Sequence, residues 1–318
     1  MEKTELYPLL FRPNLHPVVW GGRGLKPWKG LPADEEPIGE SWEVSVVPSS
    51  VSIVANGPLE GTPLTRLVAA RPQEMLGERV ARRYGNELPL LVKFIDAEKD
   101  LSIQVHPDDT MAQREHGKRG KSEMWYVINA QPGAYLYAGF KEHITPYEYK
   151  RRVEDGSITE VLARHEVRAG DVFYLPAGRV HAICGGILLA EVQQSSDVTY
   201  RIFDYNRRDA YGNLRRLHQR QALDAIDFTC INDYHYYPRG ERLADTPHFH
   251  LERVVLGPNL PHRKVEARTF IIATAIEGNA TARCGRHSLP LDQGHTLLIP
   301  ANTEVTLSGE ATIILITP

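Results

Sequence analysis

The sequence contains few cysteines, and they are far apart. Of its 318 residues, only Cys184, Cys230 and Cys284 are cysteines. An odd, scattered set is not the pattern of a disulfide-stabilised secreted protein, and it includes no Cys-x-x-Cys metal knuckle. Unpaired thiols are typical of a reducing compartment, so we expect a cytoplasmic protein.

Long apolar segments and strong charge are also lacking. No run of about 18 apolar residues occurs, which excludes a membrane-spanning helix. The opening segment, MEKTELYPLLFRPNLHPVVW, lacks the continuous apolar stretch of a signal peptide. The net charge is only −3, so neither nucleic acid nor an anionic membrane is predicted as a partner. The chain is long enough for one large domain or two ordinary ones.

Frequent proline and glycine separate short apolar runs. The 22 prolines and 25 glycines lie between segments rich in β-branched and aromatic residues, which is typical of an all-β sandwich or barrel. We predict strands over 41–47, 90–95, 102–106, 123–129, 134–139, 171–175, 187–192 and 199–204. Further strands are predicted over 250–256, 269–277, 279–284, 295–299, 304–308 and 311–316. Short helices are predicted over 63–76, 146–155, 157–163 and 214–226.

Two segments share a pattern that indicates an internal duplication. Residues 168–181 read RAGDVFYLPAGRVH, and residues 292–302 read DQGHTLLIPAN. Each has a turn glycine, then a strand, then Pro-Ala. The first copy ends in His181, whereas the second has Asn302 in the corresponding region. We therefore expect a duplicated barrel in which only the first copy carries a working site.

The domain boundary is predicted just after the last predicted helix. Residues 1–226 would form the domain with the site, including N-terminal strands and small helical insertions. Residues 227–318 would form a degenerate second copy. Near Asn302, His287 and His295 are the only ligand candidates, and they lie on different predicted strands without a matching carboxylate.

Four polar residues of the first copy have the spacing of a metal site. Gln104 and His106 lie two apart on a predicted strand, so their side chains point the same way. Glu123 opens another predicted strand, and His181 follows Pro-Ala-Gly. This mixed nitrogen and oxygen set without thiolate suits Zn²⁺ or a similar ion in a catalytic site. The histidines that look like ordinary surface residues are His16, His116, His143, His165 and His218.

The same residues resemble the two cupin motifs. Residues 170–181, GDVFYLPAGRVH, match the second motif, G(D)-x4-P-x-G-x2-H. Gln104, His106 and Glu123 match the first motif in a variant where glutamine replaces the usual first histidine. We therefore expect a mainly β fold of two cupin-like jelly-roll barrels with short helical insertions.

The flanking sequence resembles the short bacterial form of the type I phosphomannose isomerases. The matching segments, in the family's order, are PIGESWEVS (37–45), LPLLVKFIDAEKDLSIQVHPDD (88–109), GKSEMWYVINA (120–130), RAGDVFYLPAGRVHAI (168–183) and EVQQSSDVTYRIFDYNR (191–207). They cover most of residues 10–210. The last third agrees only in its general pattern of short apolar runs separated by proline and glycine. The resemblance implies an aldose–ketose isomerase that interconverts mannose 6-phosphate and fructose 6-phosphate through a cis-enediol. It also implies one zinc per chain on the equivalents of Gln104, His106, Glu123 and His181.

The resemblance further implies catalytic residues. Arg201 matches the family's catalytic arginine, and Lys93 and Lys121 match lysines that line the sugar site. A guanidinium keeps its proton, so we assign Arg201 to orienting the sugar oxygens and stabilising the enediolate. The base that moves the proton is either lysine, with a pKa lowered by desolvation, or Glu191.

Other residues are candidates for the edge of the site. Glu40 and Trp42 are expected at its rim, and Ser102 is a candidate phosphate contact. Residues 140–165 are too few for the larger helical domain of longer relatives, so the phosphate pocket is otherwise unassigned. The substrate is expected to be a sugar phosphate, and the chain a monomer or homodimer.

Three alternatives to this function stay open. A non-catalytic sugar-binding cupin would not need Lys93, Lys121 and Arg201 together beside a metal. An iron-dependent cupin dioxygenase commonly uses a histidine-rich set, against which Gln104 and the lysines argue. A cupin isomerase acting on another hexose phosphate fits the same residues.

Overall fold

The computed structural model describes residues 5–208, 212–231 and 233–318. The α-helices within these ranges are α1 (Leu25–Trp28), α2 (Leu64–Ala70), α3 (Pro72–Leu76), α4 (Glu78–Tyr84), α5 (Asp109–His116), α6 (Pro146–Glu154) and α7 (Gln219–Ala225). The strands of the first two thirds are β1 (Leu9–Leu10), β2 (Leu15–Gly22), β3 (Ile38–Val44), β4 (Leu90–Ala97), β5 (Ile103–Val105), β6 (Glu123–Ala130), β7 (Tyr135–Phe140), β8 (Leu162–Glu166), β9 (Val172–Leu175), β10 (His181–Ile183), β11 (Ile187–Gln194) and β12 (Tyr200–Phe203). The last third adds β13 (Arg242–Asp245), β14 (His250–Leu256), β15 (His262–Ala267), β16 (Ile271–Cys284), β17 (His287–Pro290), β18 (Thr296–Ile299) and β19 (Thr303–Thr317).

Two antiparallel sheets face each other in the first two thirds of the chain. One has six strands in the order β2-β3-β4-β11-β6-β9, and the other has five in the order β12-β5-β10-β7-β8. Apolar side chains of both sheets, among them Trp125, Leu136 and Phe173, pack together between them. This core fixes the spacing of the two sheets.

The outer faces of both sheets are covered. Tyr149 and Val153 of α6 and Ala222 of α7 pack with Ile202 over the five-stranded sheet. The six-stranded sheet packs through Phe94 on a cluster shared by helices α2 to α4 and the C-terminal sheet. Strand β4 is therefore buried on both faces, which explains its nearly continuous apolar sequence LLVKFIDA.

The C-terminal sheet is built around two long strands. β16 pairs with β19, and the order of the sheet is β1-β18-β16-β19-β14-β13, with β15 on β19 and β17 on β16. Its first strand comes from the other end of the chain, because Leu9 pairs with Leu298. The division into domains at residues 226 and 227 stays a prediction.

The predicted mainly β architecture with short helices is confirmed, and its details need corrections. Segments 269–277 and 279–284 form one strand, β16, and segments 304–308 and 311–316 form one strand, β19. The predicted helix over 63–76 is broken at Arg71, because the residue before a proline disfavours helical backbone. The helix predicted over 157–163 is wrong at its end, since β8 begins at Leu162.

No helix in the described parts of the chain combines the length and apolar composition that crossing a membrane requires.

Candidate active site

Two histidines meet where β5 and β10 pair. His181 begins β10 opposite Gln104 of β5, and His106 follows β5 directly, so the ring centroids lie 4.8 Å apart. His106 Nδ1 donates to the Val198 carbonyl at 3.0 Å, and His181 Nδ1 donates to the Arg179 carbonyl at 2.9 Å. A carbonyl oxygen only accepts, so both rings carry their hydrogen on Nδ1 and keep a lone pair on Nε2.

Glu123, the first residue of β6, completes a group of three. Its side chain is fully buried, with Oε2 3.4 Å from His106 Nε2 and Oε1 3.2 Å from His181 Nε2. Oε1 has no hydrogen-bond partner. One ligand atom from each residue lies within 4.8 Å of the others. An orphaned buried carboxylate oxygen beside two imidazole lone pairs is a donor set that fits a divalent metal ion.

The protonation states of this group also suit metal ligands. Burial and the Lys121 ammonium lower the pKa of His106 to about 3, and burial lowers the pKa of His181 as well. Burial alone would raise the pKa of Glu123, but Lys121 and both histidines hold it well below its usual value. At neutral pH the group therefore presents two neutral imidazoles and one carboxylate, as metal binding requires.

Gln104 and Lys121 extend the group. The side-chain nitrogen of Gln104 lies 3.2 Å from His181 Nε2. Lys121 Nζ forms an ion pair with Glu123 Oε2 and lies 3.1 Å from His106 Nε2. The structure thus brings together all four predicted metal ligands and one predicted catalytic lysine.

A buried chain of alternating charges leads away from this group. Glu191 of β11 lies opposite Lys93 of β4, and its Oε1 is 3.3 Å from Lys93 Nζ and 3.9 Å from Lys121 Nζ. Lys93 Nζ is also 3.6 Å from Glu40 Oε2. Trp125 Nε1 donates to the other oxygen of Glu191 at 2.9 Å. Both predicted lysines therefore share one carboxylate.

The expected lowering of the lysine pKa is wrong for Lys93. Burial alone would lower its pKa, but the carboxylates of Glu40 and Glu191 outweigh that effect and raise it. Lys93 therefore keeps its proton throughout the physiological range. Lys93 is therefore a positively charged group held in place by two carboxylates, and it is not a free base.

Arg201 lies on β12, beside the same strand as Gln104. The two residues are directly opposite each other in the β12–β5 pair. The guanidinium donates from Nε to Ser102 Oγ at 3.3 Å and from Nη1 to the Arg216 carbonyl at 3.1 Å. Ser102, the candidate phosphate contact, thus positions Arg201.

Three residues have contacts in the site that the sequence analysis does not predict. Trp125 is absent from the predicted site residues, although its distance of two residues from Glu123 on β6 puts both on the same face. His16 and His218, expected to be ordinary surface residues, contact site residues. The His16 ring lies 4.8 Å from that of Trp42, and His218 Nδ1 accepts from the Arg201 backbone N–H at 3.1 Å.

The C-terminal third of the chain carries a different set of contacts. Within residues 233–318, all of which the structure describes, no three His, Cys, Asp or Glu side chains come close enough to share an ion. The ring of His287 stacks on Tyr7 with centroids 5.0 Å apart. Asn302 has a left-handed backbone with φ of 59°.

Comparison with known proteins decides the family. The sequence of residues 11–133 matches the protein-family model for the catalytic domain of type I phosphomannose isomerase. The mannose-6-phosphate isomerase ManA of Bacillus subtilis is 35% identical over 311 residues, which cover 96% of each protein. The chain belongs to the type I phosphomannose isomerase family.

Other relatives of this family agree in sequence and fold. A crystal structure of the mannose 6-phosphate isomerase from Bacillus subtilis matches with a TM-score of 0.87 and 30% identity, over 98% of this chain and 99% of that one. A mannose-6-phosphate isomerase of Streptococcus mutans is 40% identical over 219 residues, 69% of this chain and 67% of the relative. The predicted resemblance, the cupin-type fold and the isomerase class are thereby confirmed.

Proposed function

We propose that the chain interconverts mannose 6-phosphate and fructose 6-phosphate through a cis-enediolate and that its metal is Zn²⁺. The observation that carries this proposal is the convergence of His106 Nε2, His181 Nε2 and the Glu123 carboxylate beside the Lys121 ammonium. Relatives that span nearly the whole chain bear the name mannose-6-phosphate isomerase. Lysines and an arginine beside a metal group favour catalysis over simple sugar binding.

In this proposal Gln104, His106, Glu123 and His181 hold one ion per chain. Neutral imidazoles with a carboxylate and no thiolate are a common ligand set of catalytic zinc. The chemistry that such an ion supplies is Lewis-acid stabilisation of negative charge on the sugar oxygens. The backbone carbonyls of Val198 and Arg179 keep the histidine lone pairs aimed at the site.

Proton transfer between C1 and C2 is assigned to Lys121. A base must lie within hydrogen-bond reach of the reacting carbon, which is next to the oxygens that the metal group faces. Lys121 Nζ lies 3.1 Å from a ligand atom, whereas Glu191 lies behind it and accepts from Trp125. Lys93 is assigned a fixed positive charge, because its pKa is raised.

Arginines on the β12 side of the site suit an anionic substrate. The Asp204 carboxylate accepts hydrogen bonds from Arg207 and Arg215. The charges of these three side chains also act on the guanidinium of Arg201, whose pKa is lowered mainly by burial. Two guanidinium groups therefore bind one carboxylate, and the positive charge of Arg201 acts on the same region. We infer that this excess of positive charge attracts the phosphate of the sugar.

A coupled assay tests the proposal. Purified protein is offered mannose 6-phosphate, fructose 6-phosphate and, as a control, another hexose phosphate. We expect turnover of the first two, loss of activity in a chelator and its return with Zn²⁺. Turnover confined to the control sugar, or undiminished by the chelator, contradicts the proposal. The cytoplasmic location and the choice between monomer and homodimer stay predictions.

A further inference from the structure

The turn before β18 holds a buried lysine from the N-terminal part of the chain. Lys29 is 8% exposed, and its Nζ donates to the Gly294 carbonyl at 2.5 Å and to Glu43 Oε1 at 2.7 Å. Gln293 adds a contact from Nε2 to the Trp28 carbonyl at 2.9 Å. A buried ammonium with two oxygen partners is confined to one geometry. The C-terminal sheet therefore fixes the position of Glu43 on β3.

The opposite face of β3 is turned toward the proposed active site. Trp42 Nε1 donates to Glu40 Oε2 at 2.6 Å, whereas Ser41 Oγ donates to Glu43 at 2.5 Å on the other face. Lys93 Nζ lies 3.6 Å from Glu40 and 4.6 Å from the centroid of the Trp42 ring. Glu40 and Trp42 thus form one wall around the Lys93 ammonium. A shift of β3 would move that ammonium relative to Glu191.

We propose that Lys29 is a positioning residue for the isomerase reaction. Through Glu43 it sets where β3 lies, and through Glu40 it sets where the charge of Lys93 lies. The turn at Gly294 in the C-terminal sheet then has a role in the site formed by His106, Glu123 and His181. This inference rests on the proposed function.

Two glycines in corresponding turns provide a matched comparison. Gly294 and Gly170 both have a left-handed backbone, with φ of 80° and 91°. A Cβ on Gly294 would lie 2.8 Å from the Lys29 Cα and 2.9 Å from its Cγ, whereas a Cβ on Gly170 would meet nothing within 4 Å. Alanine strains the backbone at both positions, but only at 294 does it displace Lys29.

The central test is the double variant Lys29→Met/Glu43→Gln. Removing both charges of a buried pair avoids an unpaired ion, so the protein should fold. We expect unchanged metal content and, per metal-loaded chain, a kcat about tenfold lower, because misplacement by about 1 Å can cost up to about 100-fold. Gly294→Ala should lower kcat in the same way, and Gly170→Ala should keep the kcat of the wild type despite its strain.

Repeating the double substitution in a Glu40→Gln variant distinguishes a positioning effect on Lys93 from a general loss of rigidity. Glu40→Gln cuts the ionic link between β3 and Lys93, so adding Lys29→Met/Glu43→Gln should then lower kcat by less than about twofold. A kcat equal to that of the wild type in the double variant overturns the inference, and so does an undiminished tenfold loss in the Glu40→Gln background. An unmodified protein inactive on both sugar phosphates instead refutes the proposed function.

Discussion

Arg201 and Gln104 lie directly opposite each other on the antiparallel strands β12 and β5. Opposed residues of such a pair project to the same face, so the guanidinium and the amide that neighbours His181 share one side of the sheet. Ser102 and the Arg216 carbonyl hold the guanidinium there. It therefore offers donors in a fixed fork to an oxygen that gains negative charge.

Arg201→Ala should reduce kcat by roughly 100- to 1000-fold, because losing one preorganised donor to a developing oxyanion has that effect. The variant should keep its metal, melt near the wild-type temperature and change KM little. Arg201→Lys should recover only part of the rate. Steady-state kinetics and elemental analysis on the same samples check this. A variant that only raises KM would make Arg201 a clamp for the phosphate in the ground state.

His181→Ala should lose the metal and, with it, activity to near the detection limit, because one imidazole of the ligand group is removed. The wild type should contain about one divalent ion per chain. Elemental analysis, with circular dichroism to confirm folding, checks both. His287→Ala is the control, since His287 stacks on Tyr7 away from the ligand group and should leave the metal in place. Two tightly bound ions per wild-type chain would contradict the single-site assignment.

Lys121→Arg and Lys93→Arg form a pair that separates proton transfer from fixed charge. Arginine keeps the positive charge but does not release its proton in proteins. Lys121→Arg should therefore lose at least about 100-fold in kcat, the contribution typical of general acid–base catalysis. Lys93→Arg should stay within about tenfold of the wild type, because the pKa of Lys93 is raised by Glu40 and Glu191. The reverse order of effects would assign proton transfer to Lys93.

Asp204→Asn should destabilise the protein by about 2 kcal/mol at pH 7, the usual range for hydrogen bonds to charged groups. Burial would raise the pKa of Asp204, but hydrogen bonds from Arg215 and Arg207 lower it below its usual value. A lowered pKa contributes stability above the unfolded-state value near 3.8, which is lost as the pH falls through the folded-state value. Urea denaturation should therefore show the difference narrowing below about pH 4.

The matched control for that experiment is Asp197→Asn. Asp197 pairs with Lys118 at 2.6 Å, but the two side chains are 32% and 45% exposed. Such surface pairs contribute little, so the midpoint of unfolding should hardly move. An equal loss of stability in both variants would show that the arginine pair does not specifically stabilise Asp204.

The parts of the site that follow strand periodicity could be predicted from the sequence. Gln104 and His106 lie two apart at one strand, and Glu123 opens a strand of the facing sheet, so strand periodicity and the position of Glu123 at a strand start indicated these ligands. The charge state of Lys93 depends on Glu40 and Glu191, which reach it from two other strands. The contact of His218 with Arg201 likewise arises from tertiary packing. Spacing in the sequence does not encode either relationship.

Two glycines explain the main error in the strand prediction, which divided β16 and β19 into two strands each. The predicted strands end at residues 277 and 308, just before Gly278 and Gly309, because glycine within a strand pattern often marks an irregularity. In the structure each faces the backbone of the partner strand: a Cβ on Gly278 would lie 2.1 Å from the Glu310 carbonyl, and one on Gly309 would lie 2.4 Å from the Asn279 carbonyl. The two glycines allow β16 and β19 to approach closely, so they continue the strands instead of ending them.

Because β1 pairs with β18 near the other end of the chain, β1 cannot join its sheet until synthesis is almost finished. Leu9 and Leu10 leave the ribosome long before Leu297 and Leu298, their partners in the sheet, have been made. The sheets that carry His106, Glu123 and His181 are complete in sequence well before that moment. All residues of the ligand group have therefore been synthesised while the apolar β1 still lacks its neighbour, and translation arrested before residue 297 leaves β1 without its partner strand and available to chaperones.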